Sequence, residues 1–282
     1  MTVAGPPAKP GDPFILRQSD ISTWASCPLK YRYQYIDKYP RLQSGALTFG
    51  SIVHDVVMQL ELTQDVEGAV ALFKKYWNEP TLLDPSYKID YYLRATNWQK
   101  YLTEGERMIR DWWEIIKWES DVILGREFSF DVPIGNGHVL HGTIDKLAVR
   151  QHPKHGRVLL VSDYKTNAKV PTYEWLEDNI QFTAYSYATT RPEFWANMPN
   201  GEHLFNDMKD LPRLGEWVSL KGPKRLDAGL RDQVQYNRLI TAANAIADSV
   251  AMRIFVPTIS GENCRWCDFR ERCGLRVVGD DE

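Results

Sequence analysis

With 282 residues, of which 43% are hydrophobic and 25% charged, the chain is long enough to bury a sizeable core and has an ordinary globular composition. Its formal net charge of −3 argues against a protein that coats nucleic acid with a broad basic surface. An enzyme that cuts nucleic acid stays open, because its basic residues need only line a groove. The sequence has no apolar stretch of about 18 residues and no signal-peptide core, so we expect a cytoplasmic protein with reduced thiols and no membrane span.

The N-terminal part of the chain combines a polar tail, a helix and a cysteine. Residues 1–13 are rich in proline and glycine and are predicted to form a disordered tail. A helix is expected to begin at Ser19, which can act as the N-cap, with Asp20 in the first turn. Cys27 follows directly before a proline, and a lone cysteine is most often a small buried hydrophobe.

Residues 51–120 are predicted to be mainly helical, with helices over 51–62, 66–78 and 87–119. His54 lies at the margin of an apolar stripe, where a histidine is more often structural than a ligand. The helices are rich in tryptophan, whose rings could stack on bases, but such amphipathic helices more often supply the core. The apolar stripe of the first helix consists of Ile52, Val53, Val56, Val57 and Leu60.

A β-rich region follows the helices. A strand is predicted over 122–132, a turn at 135–137, and a second strand from His138. Glu127 lies on the first strand beside Arg126, and it could be a surface charge or a residue that supports a site.

The chain's most informative acidic residues belong to a predicted hairpin. Residues 144–149 indicate one strand, and the apolar run 158–161 indicates another strand that is buried on both faces. If these strands pair, Asp145 comes close to Asp163. Lys165 follows Asp163 by two residues, so both side chains point to the same side of the strand.

This arrangement of two carboxylates and a lysine has a chemical logic. Facing carboxylates repel one another, so one must be protonated or a cation must lie between them. Oxygen ligands suit magnesium or manganese, and a lysine beside the ion could orient water or offset charge that develops on a phosphate. A salt-bridged strand end is the alternative, and these residues alone do not decide between the two.

Beyond the hairpin the sequence predicts a helix over 173–189, a strand over 217–220 and a long helix over 227–253. Gln181 and Tyr185 are four residues apart and therefore share one face of the first of these helices. They could form a buried polar pair that is satisfied locally, or they could approach a site.

Three of the four cysteines, Cys264, Cys267 and Cys273, lie within ten residues near the C-terminus, and the fourth is Cys27. A disulfide framework does not fit reduced thiols and leaves this proximity unexplained. Four thiolates suit a structural zinc ion or an iron–sulfur cluster. A zinc ribbon usually has two C-x-x-C pairs, whereas here one cysteine stands far from the others.

The order and spacing of four short motifs resemble the PD-(D/E)xK nuclease superfamily, and within it the RecB-type exonucleases. The motifs are Gly50–His54, Gly142–Asp145, Asp163–Thr166 and Gln181–Tyr185. The resemblance extends from Ser19 to Cys273, which is nearly the whole chain.

This resemblance implies a restriction-endonuclease-like α/β fold with a mixed central sheet flanked by helices. It also implies magnesium or manganese as the catalytic ion and a role for each motif residue. The implied site residues are the metal ligands His54, Asp145, Asp163 and the backbone carbonyl of Tyr164, the catalytic lysine Lys165, the catalytic-site partners Gln181 and Tyr185, and Glu127 as a supporting residue or second-metal ligand.

The layout of one cysteine plus three resembles the RecB, AddB and CRISPR-associated exonucleases, in which four cysteines bind a 4Fe-4S cluster. The cluster ties the N- and C-terminal segments of those proteins together. The resemblance therefore implies a 4Fe-4S cluster bound by Cys27, Cys264, Cys267 and Cys273.

We therefore expect one nuclease domain over 14–275, with a helical insertion at 51–120, a catalytic core at 121–253, a cluster segment at 257–273 and an acidic tail at 276–282. The expected function is metal-dependent hydrolysis of DNA from its ends, in recombination, repair, phage replication or CRISPR-type processing. DNA is the expected partner, together with recombination or replication proteins. The alternatives are a catalytically silent DNA-binding module on the same fold and a redox-sensing iron–sulfur protein.

Overall fold

The computed structural model describes most of the chain. The described residues are 6–7, 9–40, 45–85, 95–166, 169–259, 261–265 and 267–274. The predicted acidic tail at 276–282, part of the predicted tail at 1–13 and the start of the helix predicted at 87–119 lie outside these residues.

A mixed six-stranded sheet forms the centre of the molecule. Its strands are β1 (Ile15–Arg17), β2 (Val122–Gly135), β3 (His138–His152), β4 (Gly156–Lys165), β5 (Arg213–Ser219) and β6 (Lys224–Leu230). On one edge β3 pairs antiparallel with β2, and on its other edge it pairs antiparallel with β4 and parallel with β1. The sheet continues with β5, parallel to β4, and ends with β6, antiparallel to β5. The predicted hairpin is thereby confirmed.

Strand β3 changes partner along its second edge. It pairs with β4 from His152 to Lys146, which lies opposite Ser162, and with β1 at residues 139–141. Residues 142–145 lie between these two pairings, so a gap opens in the sheet at this point. Asp145 and Asp163 directly follow the last β3–β4 pair and therefore stand at the edge of the gap.

Helices cover both faces of the sheet. The described helices are α1 (Gln18–Ser26), α2 (Pro28–Tyr31), α3 (Gly45–Thr63), α4 (Val66–Asn78), α5 (Ala95–Ile116), α6 (Tyr173–Glu177), α7 (Ile180–Thr189), α8 (Pro192–Trp195), α9 (Gly201–Met208), α10 (Gln233–Ala251), α11 (Gly261–Arg265) and α12 (Arg270–Cys273), with a π-helical turn at Arg32–Ile36 and a 3-10 turn at Pro80–Leu82. None of them is long and apolar enough to cross a bilayer.

The two larger apolar cores of the described residues lie on opposite faces of the sheet, because alternate residues of β4 point to opposite faces. Tyr164 packs with α3, α4 and α5 on one face, whereas Val161 packs with α7 and α10 on the other. All five residues of the predicted α3 stripe are buried. Trp77 and Trp112 are buried as expected for core residues, but Trp118 is 81% exposed.

Three predicted helix boundaries are wrong for local reasons. The first helix has Arg17 as its N-cap, two residues before the predicted N-cap Ser19, because the Asp20 carboxylate accepts from Arg17 N at 2.7 Å. The helix predicted at 173–189 is two helices, because Asn179 caps a new start by accepting from the backbone N of Gln181 at 2.8 Å.

The helix predicted to begin at residue 227 begins instead at Gln233. Residues 224–230 form the edge strand β6, in which Gly229 adopts a φ of +80°, a backbone conformation that helices do not contain. The helix then starts with a capping box, because Asp232 accepts from the Gln235 backbone while the Gln235 side chain accepts from the Asp232 backbone.

Candidate active site

An open pocket lies where β3 and β4 diverge. Side chains reach it from α3, from β2, from the middle of β3, from the end of β4 and from the first turn of α7. The chemically relevant lining residues are His54, Glu127, Asp145, Asp163, Lys165 and Gln181.

Asp145 is the acceptor that joins the two diverging strands. Its Oδ2 atom accepts from the backbone N of Tyr164 at 2.6 Å and lies 3.0 Å from His54 Nε2. The residue is only 8% exposed, so these contacts are formed in a poorly solvated position. The carboxylate is therefore held firmly at the pocket wall.

His54 lies between two carboxylates. Its Nδ1 atom is 2.8 Å from Glu127 Oε1, and its Nε2 atom contacts Asp145 on the other side. Burial alone would lower the pKa of His54, but the hydrogen bonds to Asp145 and Glu127 raise it to about 10. The imidazole is therefore protonated at neutral pH in the absence of a metal ion and neutralises part of the acidic charge.

Glu127 reaches His54 from an unusual backbone position. Its φ of +45° lies in the left-handed region, which L-residues other than asparagine and aspartate rarely adopt. A register shift between Ile123 and Gly125 precedes it on β2. Glu127 lies between the pairs Arg126–Lys146 and Phe128–Ile144, so it stands opposite Asp145. Ligand atoms of His54, Glu127 and Asp145 all lie within 4.8 Å of one another.

Asp163 is the most deeply buried acid of the pocket, with 3% exposure. Its carboxylate contacts Lys165 Nζ at 2.7 and 2.9 Å and accepts from Gln181 Nε2 at 2.6 Å. Burial raises the pKa of Asp163 to about 6, although Lys165 opposes the shift, and the Asp145 charge adds to it. Part of the population is therefore protonated near neutral pH.

Gln181 and Tyr185 form a polar pair on α7, as their spacing predicts. Gln181 Nε2 donates to the Tyr185 hydroxyl oxygen at 2.8 Å as well as to Asp163. Burial and the nearby charge of Asp163 raise the pKa of Tyr185, so its hydroxyl stays neutral. The pair orients Asp163 from the α7 side.

The structure thus brings His54, Glu127 and Asp145 together as one group, with Asp163 and its partners beside them. A ligand role of the Tyr164 carbonyl stays a prediction, since the contacts found for Tyr164 involve its backbone N and its hydroxyl. Sequence reasoning missed Glu61, which accepts from the Tyr164 hydroxyl at 2.7 Å. An acidic residue within the apolar pattern of α3, seven positions after His54, was the available signal.

The four cysteines line a second pocket, between the N-terminal helices and the C-terminal segment. The backbone N of Thr258 donates to Cys27 Sγ at 3.4 Å, and Cys264 Sγ lies 3.9 Å from the Thr258 carbonyl oxygen. The sulfurs are nevertheless dispersed around this pocket. Within the described residues, the group of three metal-ligand atoms lies at the acidic site and not among the cysteines. The structure therefore does not show the predicted 4Fe-4S cluster.

A family model of the PD-(D/E)XK nuclease superfamily matches residues 16–274. Among solved structures, the chain is similar to a protein of Eubacterium rectale named as a putative exonuclease, with 13% identity, a TM-score of 0.47 and coverage of 95% of this chain and 90% of that chain. It is also similar to the protein SSO0001, with 11% identity, a TM-score of 0.37 and coverage of 94% and 87%. No curated protein matches the sequence.

Proposed function

Because this chain belongs to the PD-(D/E)XK nuclease superfamily, we propose that it hydrolyses phosphodiester bonds of DNA in a reaction that requires magnesium or manganese. The observation that carries this proposal is the convergence of His54, Glu127 and Asp145 in one open pocket beside the Asp163–Lys165 pair. A structural salt bridge needs neither an open pocket nor an imidazole and two carboxylates whose ligand atoms lie within 4.8 Å of one another.

The residues of the pocket fit a divalent ion. Carboxylate oxygens suit magnesium and manganese, and an imidazole nitrogen suits manganese as well. His54, Glu127, Asp145 and Asp163 are the side chains that would hold the ion. When bound, the ion would neutralise phosphate charge and lower the pKa of an attacking water.

The chain's own residues would divide the remaining tasks. The Lys165 side chain is 33% exposed, so its ammonium group can reach both Asp163 and a phosphate in the pocket. Its positive charge would stabilise the charge that develops on the phosphate oxygens during hydrolysis. Gln181 holds the Asp163 carboxylate, and thereby limits how far it moves when Lys165 turns toward substrate.

Action from DNA ends is the finer part of the proposal and depends on the resemblance of the motifs to RecB-type exonucleases. The test is incubation of the purified protein with end-labelled linear DNA and with closed circular DNA, with and without manganese. We expect manganese-dependent release of label from linear DNA only. Cleavage of the circle would favour an endonuclease, and binding of both DNAs without cleavage would favour a silent binding module.

We further propose that Cys27, Cys264, Cys267 and Cys273 bind a 4Fe-4S cluster with a structural role. Their common pocket supports this, because it joins two segments that are separated by more than two hundred positions. The layout of one cysteine far from the other three favours this cluster over a zinc ribbon, which usually has two C-x-x-C pairs.

Protein purified without oxygen should be brown and contain close to four irons per chain, as a 4Fe-4S cluster requires. Cys27→Ala should bleach the protein and lower its melting temperature, because the link between the two segments is lost. A matched control is Ser26→Ala, at the neighbouring pocket position. A colourless wild type that contains zinc would contradict the iron assignment, and a bleached variant of normal stability would contradict the structural role and favour a redox sensor.

A further inference from the structure

Glu61 is a buried carboxylate on α3 to which the proposed reaction assigns no role. Its side chain is 2% exposed. Residues seven positions apart on a helix lie on nearly the same face, so Glu61 lies below His54 on the face of α3 that meets the sheet. Burying a charged group at this depth is costly unless several donors satisfy it.

Three side chains donate to the Glu61 carboxylate. The Tyr164 hydroxyl and Trp112 Nε1 donate to Oε1 at 2.7 and 2.9 Å, and Arg126 Nε donates to Oε2 at 3.0 Å. These donors come from three different elements, namely β4, α5 and β2. One carboxylate therefore connects α3 to β2 and β4, two of the three strands that carry site residues.

The connection to β4 passes through Tyr164. This residue stands between Asp163 and Lys165 in the chain, and its backbone N donates to Asp145 Oδ2 at 2.6 Å. Because Glu61 holds the hydroxyl end of the side chain, it also fixes the rotation of the strand at this residue. The hydrogen bond to Asp145 depends on that rotation.

The connection to β2 passes through Arg126, which directly precedes Glu127. Glu127 has a backbone φ of +45°, a conformation that persists only when its surroundings hold it. Its carboxylate lies 2.8 Å from His54 Nδ1. A closed ring of contacts thus runs from Glu61 through Arg126 and Glu127 to His54, and the first and last of these residues both lie on α3.

We propose that Glu61 is a positioning residue that sets the geometry of the metal-ligand group, by fixing Glu127 through Arg126 and Asp145 through Tyr164. The inference rests on the proposed function, since it needs an ion at the acidic site. Glu61 lies outside the pocket lining, so it should influence metal affinity and turnover without contributing to DNA affinity.

Glu61→Gln is the sharpest test, because the glutamine carbonyl can still accept from Tyr164 and Trp112 while its amide faces the donor Arg126. We expect the manganese dissociation constant, measured by calorimetry, to rise by about 10–100-fold, with unchanged DNA affinity in the absence of metal. Val70→Ala is the matched control, because Val70 is buried in the same helical layer and its loss weakens packing only. Tyr164→Phe serves as a second variant that removes one donor and keeps the ring packed.

A double-mutant cycle separates positioning from general stability. In a Glu127→Gln background, Glu61→Gln should cost much less manganese affinity, because the group that it positions is already altered. Three results would overturn the inference. Glu61→Gln could lower manganese affinity equally in both backgrounds, Val70→Ala could lower it as much as Glu61→Gln does, or both Glu61→Gln and Tyr164→Phe could bind manganese with wild-type affinity. Failure of the wild type itself to bind manganese would instead refute the proposed function, and the inference with it.

Discussion

The Asp163→Asn variant should be more stable than the wild type when no divalent ion is present. Burial raises the pKa of Asp163 to about 6, although Lys165 opposes the shift and the Asp145 charge adds to it. In an unfolded chain an aspartate has a pKa of about 3.9. Because the folded protein holds this proton more tightly, its stability falls as the pH rises through the window between these two values.

The size of the effect follows from the pKa difference. About two pKa units at about 1.4 kcal/mol each give about 3 kcal/mol of destabilisation at pH 7. The asparagine carbonyl can still accept from Gln181, but the asparagine NH2 group faces the Lys165 ammonium group, and two donors cannot pair. This loss offsets part of the gain in stability. We therefore expect the free energy of unfolding of the variant to exceed that of the wild type by about 1–3 kcal/mol at pH 7 and by nothing near pH 4.

Urea denaturation in EDTA, repeated across this pH range, measures the difference. Asp207→Asn is the matched control, because Asp207 is 49% exposed on α9 and its loss changes the net charge equally. Added manganese should reverse the ranking, since only the wild type would gain binding energy. A variant that is no more stable than the wild type at pH 7, or a gain that is equally large near pH 4, would refute this reasoning.

Three other outcomes are expected. Lys165→Met should slow single-turnover DNA cleavage by about 10²–10³-fold while calorimetry shows manganese still bound, because only charge stabilisation is lost. Manganese affinity should rise with pH, because the ion must displace the proton of His54. Burial lowers the pKa of His54, but its two carboxylate contacts raise it to about 10. Calorimetry in buffers of different ionisation enthalpy would count the protons released on binding. Tyr185→Phe should slow cleavage less than Gln181→Ala in the same assay, because Gln181 contacts Asp163 directly.

The hairpin that carries the acidic residues could be predicted because its information is local. The run Val158–Val161 is buried, as a continuous apolar stretch indicates, and a short turn fixes its register against β3. The register in turn determines that Asp145 and Asp163 approach one another. Because side chains two residues apart on a strand point to the same side, Lys165 was predicted to lie beside Asp163, and their contact confirms this.

The helix predicted to start at residue 227 shows where local information fails. Leu230 and Val234 continue the apolar spacing of α10 backward into β6, and periodicity alone does not separate a helix from the strand before it. Both side chains are exposed, so neither contributes to the core that the spacing suggested. The correct signal was the capping box at Asp232, which marks a start regardless of periodicity.

The contacts that support the site could not be predicted, because they join distant parts of the chain. Glu61 and Tyr164 are 103 positions apart, and each would be an ordinary helix or strand residue without the other. The buried Lys146 is similar, since its partners Glu119 and Asp121 precede it by a whole strand. A sequence shows that a charged residue stands within an apolar pattern, but not which element supplies the groups that would neutralise it when it is buried.

Strand β3 pairs first with β4 and then with β1, and this switch explains why Asp145 and Asp163 are free to bind a ligand. In a continued ladder the backbone N of Tyr164 would pair with the main chain of β3, but here it donates to the Asp145 carboxylate at 2.6 Å. Strand β1 then takes over the free edge of β3 at residues 139–141, so the edge is covered again beyond the gap. The gap is therefore open only where the carboxylates stand. Strand β1 thus contributes to the site although none of its residues lines the pocket. It pairs with the edge of β3 that β4 has left, so that β3 and β4 can separate without exposing the rest of that edge.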